Sequence, residues 1–192
     1  DEPGTSVEPG REGEGLIRFP VLDSIRKIEE TLAGKTSFRF VVFGDTRSNP
    51  EAYGAVVRSI ARRDPLFVVV GGDLVARGRP DEFQEYFGPP LVKHAKFSVL
   101  PVVGNHDLSR ACEGYEEMFG IESRVYRLRV AGCTFAVLDN CSRDAATEPW
   151  ERQLARTHAW LSEHPDDLKF VFIHKPVSTV PIWAHHAMND RM

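Results

Sequence analysis

Four short hydrophobic runs in this 192-residue chain each end in side chains that bind cations or move protons. The run 38–43 leads to Gly44-Asp45, and 66–70 leads through Gly71-Gly72 to Asp73. The run 97–103 leads to Gly104-Asn105-His106-Asp107, and 168–173 to His174. Carboxylate, amide oxygen and imidazole are suitable ligands for Mn, Fe or Zn ions. Glycine just before such a residue lets the backbone turn sharply and approach a ligand closely. A single Gly-Asp after a strand is most simply a turn or a helix cap. His174 alone would pass as a partly buried strand-end histidine. Four such endings on one sheet edge argue instead for a site, because open α/β sheets bind ligands beyond the carboxyl ends of their strands.

The elements that must position these residues are legible in the hydrophobic periodicity. Apolar positions Val21, Leu22, Ile25, Ile28 and Leu32 predict a helix ending near Gly34. Strands are predicted at 38–45, 66–73, 97–107, 124–130, 133–140 and 168–176, and helices at 51–64, 81–95, 112–120 and 148–164. Pro89-Pro90 is expected to interrupt the 81–95 helix. Ala131-Gly132 between two strands signals a β-hairpin. Strand–helix alternation elsewhere implies a largely parallel sheet with helices on its faces, an α/β fold to which the hairpin adds antiparallel character. Thr46 and Ser48 are candidate caps for the helix beginning near Pro50.

Composition narrows the class. With 42% hydrophobic and 27% charged residues the chain reads as globular, which excludes global disorder and collagen-like structure. No stretch of about 18 apolar residues predicts a membrane span. A net charge of −4 gives no bulk attraction to nucleic acid, although it leaves room for a local basic site. Residues 1–15 are rich in Gly, Glu and Pro, with Val7 the one aliphatic side chain, and read as a flexible leader. Residues 16–192 read as a single domain. Cys112, Cys133 and Cys141 form no C-x-x-C pair. They are expected as free thiols, with a Cys133–Cys141 disulfide as the alternative. Asp1 in first position leaves the compartment open between cytoplasm and export, leaning toward a mature exported protein.

FGDTR, GGD, GNHD and FIHKP, in this order and each after a strand, resemble the calcineurin-like metallophosphoesterase superfamily from about Phe38 to Pro176. GNHD is the most specific of these elements. The resemblance implies a β-sandwich with mixed sheets, flanked by helices, and two divalent or trivalent metal ions (Mn, Fe or Zn). It places Asp45 on the first metal, Asp73 between both, and Asn105 and His174 on the second. It places His106 near the leaving group, with Asp107 orienting its ring. The implied reaction is hydrolysis of a phosphomonoester or phosphodiester, on a phosphorylated small molecule or protein, by a metal-activated hydroxide.

The chain departs from that family in two places. Where the family commonly has Asp-x-His, this chain has Arg47, and a guanidinium does not normally ligate metal. Arg47 is instead a candidate to contact a substrate phosphate oxygen, as is Asn105; a cap or salt bridge to a neighbouring loop is the plainer role for Arg47. The family's later Gly-His-x-His element is also missing up to Met192, so the domain is expected to be incomplete. His185 and His186 are adjacent, about 100° apart on a regular helix, and make a poor substitute pair. The donor set is then Asp45, Asp73, Asn105 and His174, enough for one ion if not for two. The alternative function is a catalytically impaired, metallophosphoesterase-like binding or regulatory domain. A dinucleotide-binding enzyme is disfavoured, since FGDTRSN contains no G-x-G-x-x-G loop. His94, His158 and His164 are assigned to solvated faces, Trp150, Trp160 and Trp183 to packing, and Arg62, Arg63, Arg77 and Arg79 to solvated charge.

Overall fold

A computed structural model describes residues 15–47, 49–108, 113–121, 123–142 and 148–177. The leader's first fourteen residues, Ser48, Cys112, Trp183, His185 and His186 lie outside that set. Thirteen elements follow one another among the described residues. They are α1 (Val21–Leu32), β1 (Phe40–Phe43), α2 (Pro50–Ala61), β2 (Phe67–Gly71), α3 (Pro80–Glu82), a π-helical turn (Phe83–Phe87), α4 (Gly88–His94), β3 (Ser98–Val102), α5 (Glu113–Phe119), β4 (Tyr126–Val130), β5 (Cys133–Val137), α6 (Trp150–Glu163) and β6 (Leu168–Phe172).

The strands form two sheets rather than one. β1, β2 and β3 pair in parallel, in that order. β4 pairs antiparallel with β5, and β6 joins β5 in parallel. Alternation along the strands sorts their side chains into layers. Phe67, Val69, Leu100 and Val102 of the first sheet meet Leu128, Phe135 and Val137 of the second in one apolar layer. Phe135 sits at its centre, edge-on to Phe40 and Phe67 and stacked on Phe170. Val68, Val70 and Val99 point the other way, onto α2, the π turn, α4 and α5. Ala136 and Leu138 on the outer side of the second sheet pack against Trp150 and Trp160 of α6. The result is a sandwich with helices on both outer faces. α1 runs beside β3 and β4, with Ile28 and Leu32 buried in the inter-sheet layer.

Local chemistry explains most boundaries. Asn49 caps α2 by accepting the Ala52 N–H at 2.9 Å, and Pro50 fills the first turn, where its missing donor costs nothing. The expected cap Thr46 instead donates its hydroxyl to the Leu74 carbonyl, tying the loops after β1 and β2 together. Pro89-Pro90 does not break its helix. The two prolines cannot donate to the carbonyls of Glu85 and Tyr86, and the widened π turn just before them accommodates that loss. The ladders also stop short of the predicted strand ends, because Asp45 and Asp73 take left-handed conformations (φ 53° each) that no regular strand contains. Cys133 and Cys141 are buried free thiols, so the disulfide alternative falls.

The hairpin forms as expected, with Ala131 at φ 45° and Gly132 at φ 71°. Both values suit a type I′ turn, but alanine holds the left-handed position at a cost. Ala131→Asn should therefore raise stability by about 0.5–1 kcal/mol, read from the urea midpoint; an unchanged or lower midpoint contradicts this account of the turn.

Candidate metal centre

The parallel register of the first sheet brings the loops after β1, β2 and β3 out at one end, and β6 delivers His174 to the same end. Glycine is needed there mainly because these loops touch backbone to backbone. Gly44 packs on the Gly71 backbone, with only 3.1 Å left for a β-carbon. A β-carbon on Gly104 would overlap the Asp73 amide nitrogen and Oδ1. Asp45 N–H donates to the Gly72 carbonyl at 3.0 Å, which fixes the first loop on the second.

Asp45, Asp73 and His174 each place one ligand atom within 4.8 Å of the others. Asp73 is buried and its carboxylate is surrounded. Oδ1 accepts the His106 backbone N–H at 3.0 Å and lies 3.4 Å from His174 Nε2. Oδ2 lies 3.1 Å from the Arg47 guanidinium and 3.9 Å from His106 Nε2. His174 Nδ1 sits 2.8 Å from the Gly71 carbonyl, which fixes the proton there and leaves the Nε2 lone pair facing Asp73. His106 Nδ1 meets the Ala76 carbonyl at 2.8 Å in the same way. These side chains, with Asn105, Lys175 and Pro176, line a pocket of about 410 Å³.

The donor chemistry fits a divalent or trivalent ion. Two carboxylates and an imidazole with an inward lone pair converge there. Asn105 lines the same pocket and can add an amide oxygen. The described residues thus bring together Asp45, Arg47, Asp73, Asn105, His106 and His174.

Asp107 requires a correction. It does not orient the His106 ring, a task the Ala76 carbonyl performs. Its side chain turns inward and is fully buried, with Oδ1 accepting from Leu74 and Val75 N–H and Oδ2 from Gly104 N–H. Buried amides need acceptors, and this carboxylate supplies them for the loops after β2 and β3 at once. Burial pushes its pKa up to about 7, against the lowering effect of those N–H groups. Its position makes it a brace of the loops that carry Asp73 and His106.

Sequence reasoning passed over Asn140. Its Nδ2 donates to the Lys175 carbonyl at 2.7 Å and its Oδ1 accepts the Lys175 N–H at 3.1 Å, pinning the segment that carries His174. The signal was present, since Leu138-Asp139-Asn140 is another strand end delivering polar residues. Asp139 beside it is buried and paired with Arg124 at 2.9 Å, a structural role. Lys175 was also missed as a cation lining the pocket. Arg79 pairs with Asp81 and does not line this pocket. The Cys141 thiol is pushed up to about 12, chiefly by burial, so it stays protonated and offers no thiolate.

A family model described as calcineurin-like phosphoesterase matches residues 38–191. The chain belongs to the calcineurin-like phosphoesterases. The two helix-flanked sheets agree with that family's fold. Among solved structures, purple acid phosphatase PPD1 from yellow lupin (Lupinus luteus) seeds superposes with a TM-score of 0.59 at 15% identity. The match covers 79% of this chain and 33% of the lupin chain, so this chain spans about a third of that protein's length. At that identity the likeness concerns fold alone. A comparison with curated proteins finds no match.

Gly104→Ala should weaken Mn²⁺ or Zn²⁺ binding by at least about tenfold in calorimetric titration, because the added methyl displaces Asp73. Metal affinity equal to wild type would show that Asp73 is not a ligand.

Proposed function

We propose that this domain hydrolyses phosphate esters with a metal ion held by Asp45, Asp73, His174 and Asn105. The observation that carries the reading is the convergence of Asp45, Asp73 and His174 ligand atoms within 4.8 Å, in a pocket whose other polar side chains are Arg47, Asn105, His106 and Lys175. A bound Mn, Fe or Zn ion supplies Lewis acidity to phosphoryl oxygens and acidifies water toward a nucleophile. The chain's own residues do the rest. Asn105 and Arg47 hold a phosphoryl oxygen, the guanidinium because its donors match phosphate geometry. His106, with its Nδ1–H tied to the Ala76 carbonyl, presents Nε2 toward the pocket and, as the doubly protonated imidazolium, passes the Nε2 proton to the departing oxygen, leaving the neutral ring. Asp107 keeps the loops bearing Asp73 and His106 in register. Substrates are phosphorylated small molecules or proteins, as monoesters or diesters.

This reading is tested with p-nitrophenyl phosphate and bis-p-nitrophenyl phosphate in the presence of Mn²⁺. His106→Ala and Asn105→Ala should each lower kcat/KM by roughly 10²-fold or more, the usual worth of a proton donor or a phosphoryl-oxygen contact. Activity that survives both substitutions removes the site assignment.

The Arg47–Asp73 pair, 3.1 Å apart, favours a second reading. A guanidinium on the carboxylate expected to bridge two metals occupies room that a second ion would use. In that reading the domain binds a phosphorylated ligand without efficient turnover. Arg47→Ala separates the two. In an enzyme with Arg47 on substrate, KM should rise about tenfold or more while metal content holds. An unchanged KM removes the clamp, and a metal-loaded wild type silent toward both esters favours the binding reading.

A further inference from the structure

The opposite end of the first sheet carries a second cluster of charge, and its composition is unlike the metal centre's. Lys35 and Arg39 flank the entry to β1, Asp64 precedes β2, and Lys96 precedes β3. Together with Lys27 of α1 they line a pocket of about 550 Å³. A neighbouring pocket of about 590 Å³ shares Asp64 and Lys96 and adds Arg58 and Arg62. Among the described residues, none of these six cations lies within 4.0 Å of a carboxylate. Elsewhere Arg18, Arg26, Arg79, Arg127, Arg129 and Arg156 have acidic partners, while Arg63, Arg77, Lys93, Arg152 and Lys169 have none either among the described residues, so what sets these six cations apart is their gathering around two adjoining pockets. One carboxylate, Asp64, faces six cations in the two linings.

Two further observations separate this pocket from ordinary solvated lysines. Its floor is apolar, made by Leu32, Phe38 and Leu66 where the inter-sheet layer reaches the surface. Ser98, only 6% exposed, also lines it, and its hydroxyl has no hydrogen-bond partner among the described residues. That hydroxyl is not sealed from solvent and is free to donate to a ligand in the pocket. Unpaired cations raise the local potential in a chain whose net charge is −4, and an apolar floor beneath them suits a ring or alkyl body.

We propose that the pocket between α1 and the amino ends of β1, β2 and β3 binds a small organic polyanion, a molecule with two or more phosphate groups on a ring-bearing body. Lys35, Arg39 and Lys96 neutralise the phosphates, Ser98 donates to one oxygen, and the ring lies on Phe38 and Leu66. The site is separate from the metal centre by the length of the strands, about 15 Å at the usual rise per residue. It stands whether or not the metal centre turns over substrate.

Calorimetry of the full chain with ADP, pyrophosphate and adenosine tests this, with EDTA present so that the metal centre does not contribute. ADP is expected to bind, pyrophosphate more weakly, and adenosine not measurably. Lys35→Ala/Arg39→Ala, at two exposed positions, should weaken ADP by roughly tenfold or more, since each lost charge-assisted bond costs about that much. Ser98→Ala should weaken ADP by a smaller factor, and Asp45→Ala should leave its affinity unchanged. The proposal is overturned if neither ADP nor pyrophosphate binds at millimolar concentration. It is equally overturned if binding survives in Lys35→Ala/Arg39→Ala, or is lost in Asp45→Ala. A silent phosphatase assay beside intact ADP binding would count against the proposed function alone.

Discussion

A carboxylate buried as deeply as that of Asp73 cannot keep its charge without donors or cations around it, because burial of an unpaired ion costs several kcal/mol. Much of the architecture at the carboxyl end of the sheet answers that requirement. The His106 amide, the Arg47 guanidinium and the His174 imidazole come from three separate loops and meet on its two oxygens. A metal ion held between Asp73 and the exposed Asp45 would add to that balance. The centre is therefore a charge problem solved jointly by the loops after β1, β2, β3 and β6. None of those loops would have reason to hold its shape alone.

Close backbone approach is what allows the solution. Three parallel strands in register end at one level, and the loops beyond them can share hydrogen bonds only where side chains are missing. Gly44 against Gly71, and Gly104 against Asp73, provide those places. Asp107, with three amide hydrogens on one buried carboxylate, then locks the second loop to the third. Thr46 does the same between the first and second through the Leu74 carbonyl. Behind these loops Phe135 and its aromatic neighbours fill the space between the sheets, so the strand ends have a rigid base. The far end of the same strands has no such mutual neutralisation, and its cations stay unpaired.

Much of the site was legible before any geometry. Periodicity located all six strands of the described residues, and Gly-Asp, Gly-Asp, Gly-Asn-His-Asp and His174 marked the strand ends that the fold gathers at one pocket. Two kinds of information were not legible. One was the side-chain direction of Asp107, which the family resemblance placed against the His106 ring; the need to satisfy buried amides turns it inward. The other was backbone participation, since the carbonyls of Gly71 and Ala76 that set the two histidine tautomers leave no mark in residue type. Asn140 lay between these cases, visible as a polar strand end and meaningful only once Lys175 is beside it.

Residue type and order by themselves determined the α/β alternation, the hairpin, the candidate metal-ligand set and the anomaly at Arg47. Those properties are local, arising from periodicity and from what a carboxylate, imidazole or guanidinium can do. The two facing sheets were expected from the family resemblance and not from periodicity; only the tertiary structure decided which strands share a sheet, that Arg47 lies on Asp73, and that Asp107 braces loops. It alone gathered Lys27, Lys35, Arg39 and Lys96 around one pocket. Those outcomes depend on which distant segments compete for the same buried polar groups and the same apolar layer, and that competition is settled by packing in three dimensions.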